Sequence, residues 1–365
     1  KTLFLLTFFL LLGFSLAIPQ GFSTWFVGPC PTGWDEYEST QGRLIVSVAD
    51  AALSGVTVAE ALADQTAPTH THFWSTSVSF REHQVSAIGC CNDDGAAEGS
   101  YPTNATTAAS NADYPFQQLY FCTYQKQDDP SISVPFGTIG YFSTGISSCP
   151  PSWVPFTESV GRTLVPSFNE SGTLPSMSEP LHSGEDRQHA HGFDTSFNTT
   201  DISYAGVGGC CNKGPSQSGR IAVAGTTDHV SANIPYMQLL TCLSENQTFS
   251  SDLPVSAGIF NAVKCPPGYE LLISTAGRFL VSLPKGGVPG ASFGGKSLPE
   301  SAAVPPVHVH EFKGSVAAPA TGVGLASGCC ASGYAGAQTY EFQGDTDTAS
   351  AQFPYLMAPL CIKQG

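Results

Sequence analysis

The sequence predicts an all-β protein made of three tandem, homologous, disulfide-stapled β-sandwich or jelly-roll-like domains. Three observations predict it: a composition rich in turn formers and poor in charge, a cysteine frame that recurs three times, and short β-forming runs at matching places in each repeat. The chain has 365 residues, 38 Gly and 27 Pro, and only 12% charged residues. Few charges and many Gly and Pro argue against helix bundles and coiled coils and for many strands joined by turns. The length allows two or three domains. A net charge of -15, with 14 Lys+Arg against 29 Asp+Glu, argues against a nucleic-acid partner.

Residues 1–17 read as a secretory signal peptide. Lys1 precedes the apolar run Leu3–Leu12, and Ser15-Leu16-Ala17 is a small-x-small exit. The run is short for a span, which takes about 20 residues. No second run of that length follows, so no membrane span is expected in the mature chain. Four Asn-x-Ser/Thr sequons, at Asn104, Asn169, Asn198 and Asn246, are the expected glycosylation sites of an exported protein.

The twelve cysteines fall into three sets of four. Cys30, Cys149 and Cys265 each open a Cys-Pro dipeptide, at intervals of 119 (30 to 149) and 116 (149 to 265) residues. The doublets Cys90-Cys91, Cys210-Cys211 and Cys329-Cys330 each follow a glycine. Cys122, Cys242 and Cys361 each come 31 residues after their doublet (91 to 122, 211 to 242, 330 to 361). Trp34, Trp153 and Tyr269 keep step, as do Gly42-Arg43, Gly161-Arg162 and Gly277-Arg278. So do the motifs Tyr114-Pro115-Phe116, Ile234-Pro235-Tyr236 and Phe353-Pro354-Tyr355. Such register marks tandem homologous units, each long enough to own a core. The expected layout is an extended segment over 18–29, then modules over 30–134, 135–253 and 254–365.

Within a module Leu44–Val48, Phe279–Leu283, Gln117–Cys122 and Gln238–Cys242 read as strands, and Thr57–Asp64 as the one helical stretch. Four cysteines per module allow three pairings. Bridging adjacent cysteines closes a strained ring and is discounted. Neighbours in a strand face opposite ways, so each doublet is expected to tie both the Cys-Pro segment and the last strand to a central strand. No Cys-x-x-Cys spacing suggests zinc.

Each repeat also carries a His-x-His pair: His70/His72, His189/His191 and His308/His310. In a strand both imidazoles share a face and can serve one metal ion, with further ligands from elsewhere. A metal at these pairs is the only cofactor the sequence raises. No phosphate loop, carboxylate pair or triad stands out, and no repeat carries chemistry of its own, so no enzyme is expected. Trp25, Trp74 and Trp153 can stack on sugars but read as core.

The run Cys265-Pro266-Pro267-Gly268-Tyr269, Gly277-Arg278-Phe279-Leu280-Val281, Gly286-Gly287, Phe293-Gly294-Gly295 and His308-Val309-His310 resembles phage tail-collar and short tail-fibre domains. The resemblance implies metal bound by His-x-His pairs inside a trimeric fibre, at His70/His72, His189/His191 and His308/His310. The three-module layout also resembles secreted, pilus-like filament subunits of aquatic microbes that join by strand donation. The expected function is therefore a structural subunit of an extracellular filament, a homopolymer assembled head to tail. Phe22, Trp25, Phe26 and Val27 would form the donated strand that fills an open third module. The alternative is a tail-fibre-like adhesin that binds surface glycans or receptors.

Overall fold

The computed structural model describes residues 18–80, 99–126, 133–170, 172–199, 220–245, 253–300, 305–318 and 338–365, with short strands at 83–85, 94–96, 203–204, 214–215, 321–323 and 333–335. The chain is all-β; its only helical elements among the described residues are four single 3-10 turns. None of these is long and apolar enough to cross a membrane. The signal-peptide segment 1–17, the three cysteine doublets and Asn246 lie outside the described residues.

The three repeats share their strands. A 16-stranded sheet draws on all of them. The strand after each Gly-Arg pairs in parallel with the terminal strand of the following repeat. Leu44–Val48 lies beside Tyr236–Leu240, Thr163–Pro166 beside Tyr355–Ala358, and Phe279–Ser282 beside Phe116–Leu119. The first repeat thus leans on the second, the second on the third and the third on the first, a pseudo-threefold ring within one chain. Equivalent aromatic and aliphatic residues from the three repeats meet in one core, among them Tyr114, Phe116, Tyr236, Phe279, Phe353 and Tyr355.

The repeated Gly-Arg motif has a structural cause. Gly42, Gly161 and Gly277 have φ of 72°, 70° and 70°, where only glycine sits without strain. Their carbonyls accept the N–H of Leu62, Leu181 and Leu298 at 2.9 Å, and a Cβ on any of them would strike those leucine backbones. The arginine then tethers the returning loop. Arg43 Nη1 donates to the Val58 and Ala59 carbonyls at 3.0 and 2.7 Å, and Arg162 Nη1 to those of Ser176 and Ser178. This corrects the helix expected over Thr57–Asp64. The guanidinium holds carbonyls that a helix would use, and Ala59 takes φ 56°, so only the short strand Thr57–Val58 forms there.

The expected cysteine pairing is also corrected. The bridges run from first to last cysteine of each repeat: Cys30–Cys122, Cys149–Cys242 and Cys265–Cys361. The reason is the sheet. Each Cys-Pro turn leads into a strand such as Trp34–Glu36, which pairs antiparallel with the terminal strand and sets Glu36 opposite Cys122. That brings the outer cysteines to Cα separations of 5.8, 5.9 and 5.4 Å, within bridging range. Three such bridges suggest an oxidising, extracellular setting. Each closes more than 90 residues, so replacing Cys149 and Cys242 by Ser should cost about 2–4 kcal/mol, read as a lower denaturation midpoint.

The entry strands Phe22–Phe26, Thr138–Phe142 and Ala257–Asn261 pair with one another and with the terminal strands of their own repeats. Phe22, Trp25 and Phe26 are 0–2% exposed; Val27 is 39% exposed. The groove expected to stand open at the third module is filled within the chain: Gly258–Phe260 pairs with Leu360–Ile362, and Trp25 and Phe26 with Gly258 and Ala257. Trp74 and Trp153 are core residues as well.

Candidate metal centre

Each His-x-His lies just ahead of a long hairpin. The hairpins are Phe73–Phe80 with Gly99–Thr106, Gly192–Asn198 with Arg220–Thr226, and Glu311–Ala318 with Gln338–Asp345. Short pairings fix the first histidine of each pair: His70 opposite Ser110, His189 opposite Val230, and His308 opposite Ala349. Because the repeats form a ring, the three pairs converge, and all six imidazoles are at most 6% exposed. One ligand nitrogen from each lies within 4.8 Å of the other five.

The six side chains form two layers. His70, His189 and His308 point Nε2 at one another, and all three Nε2···Nε2 distances are 3.1 Å. His72, His191 and His310 are held from behind. Their Nδ1 atoms lie 3.0, 2.8 and 3.0 Å from the carbonyls of Asp228, Asp347 and Ala108. A carbonyl only accepts, so each Nδ1 carries the proton and each Nε2 keeps a lone pair facing inward. His310 Nε2 lies 3.2 Å from His70 Nε2.

A threonine belt sets this second layer. His72, His191 and His310 donate their backbone N–H to Thr107, Thr227 and Thr346 Oγ1 at 2.9, 3.0 and 3.0 Å. The same hydroxyls lie 3.3 Å from His72 Nδ1 (Thr227), 3.2 Å from His191 Nδ1 (Thr346) and 3.4 Å from His310 Nδ1 (Thr107). Every threonine therefore joins histidines of two repeats. The sequence reading missed them, although they recur 35, 36 and 36 residues after the second histidine.

Burial is the main cause of the site's charge state. Desolvation, then the neighbouring imidazoles, push His70 down to about 2, and His189 and His308 to about 3. His72, His191 and His310 are lowered by the same desolvation, against the opposing pull of the backbone carbonyls at Nδ1. All six are neutral at physiological pH, the form that ligates metal.

The residues fit a metal ion on two counts. A neutral Nε2 either donates or accepts, never both. Three contacts closed in a triangle cannot all join a donor to an acceptor, so at least one edge of the His70–His189–His308 triangle is mismatched. A cation that draws on all three lone pairs removes the mismatch. The geometry agrees: nitrogens 3.1 Å apart form one face of an octahedron whose centre is about 2.2 Å from each corner and whose opposite corners are about 4.4 Å apart, inside the observed 4.8 Å spread.

The other expected site residues do not join this centre. Asn104, Asn169 and Asn198 are exposed on the outside, with Asn169 Nδ2 donating to Glu300 Oε1 at 2.8 Å. No protein-family model, no curated protein and no solved structure matches the chain.

Proposed function

We propose that the protein is an extracellular, non-enzymatic structural module of tail-fibre type: a single chain folded as its own trimer and locked on its axis by one divalent metal ion. The observation that carries this is the six-imidazole shell, two nitrogens from each repeat, buried where the three repeats meet. Six ligands fill an octahedron and leave no position for a substrate, so the ion braces the fold. Imidazole suits iron, nickel, copper and zinc. Six nitrogens at octahedral spacing favour iron or nickel over zinc, which prefers four ligands. Behind the shell, Asp228 and Asp347 supply carbonyls to Nδ1, and Asp228 Oδ1 also lies 3.8 Å from His72 Nδ1, a second layer that orients the imidazoles.

Elemental analysis of the secreted protein, refolded with and without iron(II), nickel(II) or zinc(II), tests this. One ion per chain is the expected result. Absence of ion from every preparation, or two or more ions per chain, would overturn it.

A second reading, the subunit of an extracellular filament, is favoured by the entry-strand end. Val27, Phe136, Val255 and Val263 are 39–60% exposed there, and Val27 N–H donates to the Ser256 carbonyl. An apolar end face suits end-to-end contact between copies. Strand donation would further require Phe22–Phe26 to leave the chain's own sheet. Negative-stain images of the secreted protein separate the two readings as threads or discrete particles.

A further inference from the structure

Among the described residues of the outer hairpins, the nearly threefold ring breaks at the third junction. Register makes Thr76, Thr195 and Gly314 equivalent: they lie opposite Thr103, Val223 and Phe342. Between the first and second repeats, Thr76 Oγ1 donates to the Ala224 carbonyl at 2.8 Å. Between the second and third, Thr195 Oγ1 donates to the Gln343 carbonyl at 2.9 Å. At the third junction, between the third and first repeats, Gly314 has no hydroxyl, and the residue equivalent to Ala224 and Gln343 is Asn104.

Gly314 is forced by the core beneath it. A Cβ there would lie 2.5 Å from Trp74 Cη2 and 2.5 Å from Phe342 Cζ. The first repeat places an indole where the others place Phe193 and Phe312, and the wider ring takes the space of a side chain at 314. The junction is held elsewhere, by Thr103 Oγ1 donating to the Ser315 carbonyl at 2.7 Å. What remains is a groove of about 500 Å³ with Asn104, Lys313, Glu341, Phe342 and Gln343 in its walls.

Asn104 is exposed and begins the sequon Asn104-Ala105-Thr106. We infer that Asn104 carries an N-linked glycan whose first sugars lie in this groove, at the junction of the third and first repeats. The walls suit a saccharide: buried Phe342 supplies an apolar floor for a sugar face, and the exposed Lys313, Glu341 and Gln343 supply partners for hydroxyls. The size lies in the range of small-ligand sites. A sugar tethered to the groove wall pays little translational cost to settle there, so modest contacts suffice. This inference is independent of the metal centre.

The test is to express the full chain in a eukaryotic secretory host and follow glycan release at Asn104 by glycopeptide mass spectrometry. With the protein folded, enzymatic release at Asn104 should be at least tenfold slower than after reduction and denaturation. The K313A/E341A variant, altered only at exposed positions, should bring release from the folded protein back toward the denatured rate. An unmodified Asn104 would overturn the inference. So would release from the folded chain at the denatured rate, protection unchanged in K313A/E341A, or binding of free oligosaccharides by N104Q, which would assign the groove to a foreign sugar.

Discussion

Replacing His191 by Ala should abolish stoichiometric metal uptake and remove the ligand-dependent part of the protein's stability. An ion that binds only the folded chain adds about 4 kcal/mol when present at a thousand times its dissociation constant. His191 is one of the six clustered imidazoles, and its Nδ1 is already fixed by the Asp347 carbonyl, so an Ala there removes a preoriented nitrogen and nothing in the strand ladder. The wild-type melting temperature should rise when iron or nickel is supplied, and that of His191→Ala should not. Acid should act in the same direction. In the unfolded chain the imidazoles titrate near 6.5; in the folded chain His70, His189 and His308 are held down at about 2 to 3. Between those values the unfolded state binds more protons. Stability is therefore full above about pH 6.5 and falls as pH drops toward 3, by about 1.4 kcal/mol per pH unit for each such histidine. Protons also compete with the ion for the six nitrogens, so the loaded protein should release metal in the same window. Denaturant midpoints at pH 7 and pH 5, with and without chelator, check this. Equal midpoints in all four conditions would remove the histidine centre from the account of stability.

Gly42-Arg43 and its two copies were legible as landmarks because a left-handed glycine and a carbonyl-tethering arginine are local requirements. The strands beginning at Leu44 and Phe279 followed from β-branched and aromatic runs. The ring was not legible, because the parallel register of Leu44 with Tyr236 joins residues almost 200 apart and no local preference records it. That one pairing rule also hid the meeting of the three histidine pairs. Each pair was visible as two nitrogens, while the other four arrive only through the ring. The cysteines misled for a related reason. Alternation along a strand was applied to the doublets, whereas the pairing of Trp34–Glu36 with the Cys122 strand decides that Cys30 meets Cys122. The break at Gly314 needed Trp74 beside it before its absence of a side chain had meaning.

Phe22→Ala should destabilise the isolated chain by about 3–5 kcal/mol, the usual cost of deleting a fully buried aromatic ring. Phe22 is 0% exposed. Its ring centroid lies 6.0 Å from Trp34, 6.0 Å from Phe142 and 5.6 Å from Trp153, so it packs against side chains of two repeats. Gly140 makes the room: a Cβ on it would collide with the Phe22 ring. Truncation would leave a cavity that the surrounding rings, fixed by two disulfides and by strands on both sides, cannot close by small shifts. Val27→Ser, one residue past the same strand at a position 39% exposed, should change stability by no more than about 0.5 kcal/mol. Chemical denaturation of the two variants, with size-exclusion chromatography beside it, separates two uses of this segment. If the strand belongs to its own chain, Phe22→Ala lowers the denaturation midpoint of the monomer and Val27→Ser does not. If its apolar residues instead serve a neighbouring subunit, both variants leave the monomer's midpoint in place and shorten or abolish polymers, and the pairing of Phe22–Phe26 within the chain would lose its energetic meaning.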